Sequence, residues 1–196
     1  MSFAKKMKRK QDKKLGIVQA KSEKVRRLVN QRTAQTEVQR YVAEIKVKGE
    51  AIREFLLIFL AAVRAEYGFG HEKLGRLDDK IFSHFDCIKA KLVTVDDIKM
   101  MLNDEAKFSI DDSEAIKHAK GNRLLEIRQA VMQELSACFC IALMDGFGFK
   151  EKRLYRAYTA AGNIGRALRN HEATLDDVAR TLIAAKFLDE NGKRVA

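Results

Sequence analysis

FLAAVRAEYGFGHEKLGR, residues 59–76, and FCIALMDGFGFKEKRLYR, residues 139–156, are the two stretches whose reading decides the fold. Sliding the chain against itself by 80 residues brings them into register without a gap. Phe59 then meets Phe139, Ala62 meets Ala142, and Tyr67-Gly68-Phe69 meets Phe147-Gly148-Phe149. Leu74 and Arg76 meet Leu154 and Arg156. Farther along, Thr94-Val95-Asp96-Asp97-Ile98 meets Thr174-Leu175-Asp176-Asp177-Val178, and Leu102 meets Leu182. Matches at both ends of one ungapped span mark an internal repeat.

Each shared residue has a physical task in a helical unit. Gly68 and Gly148 follow an apolar helix and suit the left-handed position just past its end, from which Phe69 or Phe149 packs back on the helix. Thr94 and Thr174 read as N-caps, with aspartates in the first turn, where the helix dipole favours anions. Each repeat is therefore a long helix ending at the glycine, a second helix to about residue 90 or 170, and a short third one. The second helix carries Leu74, Leu77, Ile81, Phe85 and Ile88 at spacings of three and four, a core stripe. Its counterpart carries Leu154, Ala157, Ala161, Gly165 and Leu168, which implies closer helix approach, and Gly162 and Gly165 weaken it.

Outward from the repeat, the fold class is all-α: a basic N-terminal helical arm followed by a tandem repeat of a three-helix unit. Residues 1–48 form the arm, mobile to about residue 16 and helical thereafter. Residues 49–107 and 129–187 are the repeat units, 108–128 a polar linker with a short helix, and 188–196 a C-terminal tail. Composition agrees. The 196 residues include no proline, which helices tolerate and turn-rich folds usually need, and 46% apolar content supports a core. The longest apolar run, Phe55 to Val63, has about half the length needed to span a bilayer, so no membrane segment is expected. The basic start lacks the apolar segment of a secretory signal. Cys87, Cys138 and Cys140 make no disulfide framework, and the expected location is the cytoplasm.

Charge is distributed unevenly. Lys5, Lys6, Lys8, Arg9, Lys10, Lys13, Lys14, Lys21, Lys24, Arg26, Arg27, Arg32, Arg40, Lys46 and Lys48 face only Asp12, Glu23, Glu37 and Glu44 within residues 1–48. The whole net charge of +11 lies there, and the remainder of the chain is balanced. Such a segment releases counterions from a phosphate backbone and binds it with steep salt dependence. A solubilising tail, or an arm for an acidic protein, would show the same composition. Apolar residues at Val18, Val25, Leu28, Val29, Val38, Val42 and Ile45 suit an interrupted helical stripe, through which the chain would form a homodimer if it self-associates. Tyr41 is the only aromatic residue in that stretch, so phosphate contact is expected rather than base stacking.

A second basic cluster opens the middle helix of the later repeat: Lys150, Lys152, Arg153 and Arg156, with Arg166 and Arg169 near its end. Cations at a helix start oppose the dipole, which suggests a phosphate-facing surface with Tyr155 and Tyr158 able to stack; an ordinary solvated face is the alternative. Other constellations reduce to structure. Cys138 and Cys140, with His84 and Cys87, can be drawn as a zinc site, but the two cysteines align with Ile58 and Leu60 inside an apolar helix. Asp96-Asp97 and Asp176-Asp177 follow a cap, which explains them without acid–base or magnesium chemistry. Gly68-Phe69-Gly70 lacks the lysine and preceding strand of a phosphate loop. His71, His118 and His171 suit surface or capping roles. No catalytic residue, cofactor or metal is expected.

The run Leu143-Met144-Asp145-Gly146-Phe147-Gly148-Phe149-Lys150-Glu151-Lys152-Arg153-Leu154, with Thr174-Leu175-Asp176-Asp177 after it, resembles small helical proteins of phages and prophages of Gram-positive bacteria. In those an apolar helix ends in a His-Asp-x-Phe-Gly-Phe-Gly turn, followed by Lys-Arg-Leu and a Leu-Thr-Leu-x-Asp helix start. Here Met144 stands at the histidine position and Lys150 at the second glycine. The resemblance covers about one repeat and implies phage origin, in a bacterial host cytoplasm, more than a mechanism. The functional expectation is a non-enzymatic accessory protein that binds nucleic acid or a nucleoprotein complex, DNA or RNA, in a regulatory role. The rival is an inhibitor or adapter gripping a host protein complex such as a defence or transcription machine.

Overall fold

Apolar stripes of helical period must lie against one another to leave water, and the computed structural model shows how they do so. It describes the backbone of residues 3–110 and 121–195, and within these the side chains from residue 35 onward. The chain divides into two compact units, Met1–Lys46 and Val47–Ala196. The fold is all-helical, with six helices among the described residues: α1 (Phe3–Tyr67), α2 (His71–Lys89), α3 (Val95–Ala106), α4 (Arg123–Phe147), α5 (Glu151–Arg169) and α6 (Leu175–Ala184). Helix α1 begins at Phe3, where the sequence suggested a mobile stretch to about residue 16.

In the first unit the described side chains, residues 35–46, are exposed or half-exposed. Val38, Tyr41, Val42 and Ile45 stand 62%, 65%, 58% and 54% exposed, an apolar stripe at helical spacing that faces water.

The second unit, the body, holds the core. Ile58–Val63 of α1 and Leu135–Met144 of α4 are buried on every face. A helix apolar all round belongs inside a protein. Helix α4 is also long and apolar enough to cross a membrane by length and composition, yet most of that window is buried inside the body. It lies against α2 and α3. Leu74, Leu77, Ile81 and Phe85 of α2 and Leu102 of α3 lose all contact with water, as do Leu154 and Ala157 of α5 and Leu182 of α6.

The helix ends follow the chemistry read from the sequence. Gly68 and Gly148 take the left-handed conformation, with φ of +64° and +63°. The Phe149 N–H then reaches back to the Leu143 carbonyl at 3.2 Å. Thr94 caps α3 through a reciprocal box: its Oγ1 accepts from the Asp97 N–H at 3.1 Å, and its own N–H donates to Asp97 Oδ2 at 2.9 Å. Thr174 and Asp177 repeat this at the start of α6, at 3.2 and 2.9 Å. Helix α5 runs unbroken through Gly162 and Gly165.

The segment boundaries differ from those read from the sequence. Phe108 and Ile110, assigned to a polar linker, are buried, and α4 already starts at Arg123 with Asn122 as its cap. The short helix expected within the linker, and His118, lie outside the described residues. Past α6 the tail folds back on itself. Phe187 and Leu188 are buried, Leu188 bridges Arg194, and the Val195 N–H donates to the Phe187 carbonyl at 3.0 Å.

Candidate nucleic-acid interface

The side chains of Lys5, Lys6, Lys8, Arg9, Lys10, Lys13, Lys14, Lys21, Lys24, Arg26 and Arg27, all on α1, lie outside the described residues. Lys150, Lys152, Arg153 and Arg156 are described, and all four are exposed at the start of α5. Most of them hold the body together. Lys150 Nζ donates to the Glu105 carbonyl at 3.1 Å, tying α5 to the end of α3. Arg156 pairs with Glu66 of α1 and lies 5.8 Å over the Tyr67 ring. Arg153 sits 5.6 Å over Phe149 while its carbonyl accepts from the Tyr67 hydroxyl at 2.7 Å. Helix α5 has no side-chain cap at Lys150. Its terminal charge therefore gains packing and ion pairing that offset the unfavourable dipole.

Beneath these cations the two turns meet. Tyr67 touches Phe149 edge-on at 4.8 Å, and Phe69 touches Phe147 at 4.9 Å. Lys73 lies over Phe69 at 5.6 Å and Arg76 over Phe147 at 5.4 Å. Both are exposed on α2, so this cationic, aromatic end of the body draws on α2 as well as α5. Reading for charge runs missed Lys73 and Arg76 because neither sits in one. Their register with Arg153 and Arg156 was the available signal. Of the two tyrosines proposed for stacking, Tyr155 is 65% exposed. Tyr158 is half-buried and packs edge-on against Phe108 at 6.0 Å. Burial pushes the Tyr67 hydroxyl above its ordinary range, so it stays a donor at neutral pH.

The other constellations resolve into structural roles. Cys138 and Cys140 are fully buried in α4, and desolvation raises the Cys138 thiol to about 12, so it is neither a nucleophile nor a ready ligand. His84 stands 3.4 Å from Asp145. Burial holds it below the ordinary imidazole range against the pull of that carboxylate, so the neutral ring is the neutral-pH form. Among the described residues, no three His, Cys, Asp or Glu side chains converge on a point where a metal ion would sit. Asp97 and Asp177 are held below the usual carboxylate range by the hydroxyl and N–H of Thr94 and Thr174. That is the opposite of what a general acid at neutral pH requires. His71 Nδ1 lies 2.9 Å from the Lys186 carbonyl, joining α2 to the C-terminal tail.

A clasp absent from the sequence reading completes the body. Arg194 reaches Asp78 at 3.3 Å and both oxygens of Asp79, the nearer at 2.5 Å. Burial raises Asp78 above the usual carboxylate range although Arg194 pulls it down, whereas exposed Asp79 is lowered by its hydrogen bonds to Arg194. Gly75 lies under the guanidinium, where an added Cβ would stand 3.0 Å from Nη2. No protein-family model, curated protein or solved structure matches the chain.

Proposed function

We propose that this chain is a non-enzymatic, phage-type accessory protein of the cytoplasm. It comprises a basic N-terminal arm and a tandem repeat of a three-helix unit. It binds nucleic acid or a nucleoprotein complex through the arm, in a regulatory role. The observation that carries the reading is the charge distribution: the entire excess of +11 falls within residues 1–48. Phosphate is the partner such a segment suits best, because each lysine or arginine seated on a polyanion liberates a condensed counterion. The body contributes less than its composition suggests. Lys150, Arg153 and Arg156 are engaged inside the protein, which leaves Lys152 and Tyr155 as the better candidates for direct contact there.

Electrophoretic retardation of DNA and RNA across a salt series tests this, with the full chain beside one lacking residues 1–27. The truncated protein is expected to lose most of its affinity and to show a shallower salt slope. Absence of retardation by the full chain at low salt would sink the proposal.

A second reading has an observation of its own. Val38, Tyr41, Val42 and Ile45 keep more than half their surface in water, which suits an adapter or inhibitor docking another protein there. That reading expects a nuclease-resistant complex with a host protein, weakened by Tyr41→Ser and Ile45→Ser.

A further inference from the structure

The ring and cation contacts around the two glycine turns come in matched pairs. Tyr67 on Phe149 (4.8 Å) and Phe69 on Phe147 (4.9 Å) are the same contact with the halves exchanged, because 67 and 147, like 69 and 149, are equivalent under the 80-residue register. Tyr67–Phe69 and Phe147–Phe149, at 6.3 and 6.4 Å, are likewise one contact seen twice. Lys73 over Phe69 and Arg153 over Phe149 lie at the same 5.6 Å. Arg76 crosses to Phe147 and Arg156 crosses to Tyr67, at 5.4 and 5.8 Å. Two further contacts join equivalent residues to each other: Phe59 stacks on Phe139 at 4.5 Å with 13° between the rings, and Phe69 meets Phe149 at 6.2 Å.

This is the signature of a two-fold axis. When residue i touches j of the partner, j touches i in return, and residues on the axis touch themselves. The helices follow the same rule. Helix α4 lies on α2 and α3, which belong to the other half. The end of α1 is bound to α5 through Tyr67–Arg153 and Glu66–Arg156. Near the ends of the third helices, the Lys186 carbonyl meets His71 of α2 and the Glu105 carbonyl meets Lys150 of α5, each one residue out of the 80-residue register.

We infer that the body is an isologous pseudo-dimer within one chain: each half is the other's binding partner, and the surface each offers is completed only by its counterpart. This rests on the repeat reading and goes beyond it, since a repeat can also form two self-sufficient units. Here α4, the first helix of the later half, lies on α2, and the end of α1 is bound in return to α5.

The test is cleavage in place. A protease recognition sequence inserted between residues 110 and 121 of the full chain leaves every residue of the paired contacts unchanged. After cutting, the two fragments are expected to co-elute one to one and melt in a single transition. Fragments that separate and lose their helicity support the inference equally. Fragments that separate while each keeps its helicity and its own transition overturn it. A second pair of variants tests the repeat itself. Phe69→Leu and Phe149→Leu remove equivalent rings, each 4% exposed and each beneath a cation, and are expected to lower the melting temperature equally. Adding Phe59→Leu to Phe139→Leu is expected to cost less than the sum of the two single changes. If the Phe69 and Phe149 variants differ more than twofold, the repeat is not a physical equivalence, whatever the cleaved fragments do.

Discussion

Helices α2 and α5 have the same length, 19 residues each, and matching ends, yet they are filled differently. Helix α2 buries Leu74, Leu77, Ile81 and Phe85 completely, while α5 buries Leu154, Ala157 and Ala161 and leaves Gly165 half-exposed. The two helices carry side chains of very different volume without any change in where either starts or stops. Helix extent is therefore set by the signals at the ends, and side-chain volume is free to divide unevenly across the interior.

The largest test of that difference is Phe85→Ala. It removes a fully buried ring from the bulky face and should cost about 3–5 kcal/mol in chemical denaturation. A cost near 1 kcal/mol would mean that the neighbouring side chains collapse into the space the ring leaves. Next come the caps, where the halves should agree. Thr94→Ala and Thr174→Ala remove the same reciprocal box, and each should lose about 1 kcal/mol. A large inequality would show that only one third helix matters to the core. Smaller, and of opposite sign, are Gly162→Ala and Gly165→Ala. No atom lies within 4 Å of a Cβ at either position, so both should stabilise α5 by up to about 1 kcal/mol, measured as a rise in the denaturation midpoint.

The smallest effect is one of pH. Asp97 and Asp177 are depressed in the folded state by their threonine donors, so their contribution is present above the ordinary aspartate pKa. It fades as the medium is acidified through the folded value. The gap in melting temperature between the parent and the threonine variants should therefore narrow in acid; a constant gap would mean that the carboxylates play no part in the cap.

Much of the body was legible in the sequence because its signals are local. Tyr67-Gly68-Phe69 and Phe147-Gly148-Phe149 announce their turns, and Thr94 and Thr174 announce their helix starts, from neighbours within four residues. The all-helical class followed. The burial of Phe108, Ile110 and Leu188 was not legible, since each has polar neighbours in the chain, and Phe108 packs against Tyr158, a residue far from it in sequence. The Arg194 clasp joins positions separated by more than a hundred residues and leaves no periodic trace. Among the site residues, sequence identified Lys150, Arg153 and Arg156 as a cluster. It did not reveal that Glu105, Phe149 and Glu66 already engage them, because pairing depends on which helix lies opposite.

The Phe59–Phe139 stack has a consequence for how this chain can drift or be redesigned. Two rings 4.5 Å apart and nearly coplanar in tilt occupy a single slot, so neither position has a volume of its own to conserve. A mutation that enlarges one ring must be answered at the other. A redesign that treats either position alone therefore changes the packing of both.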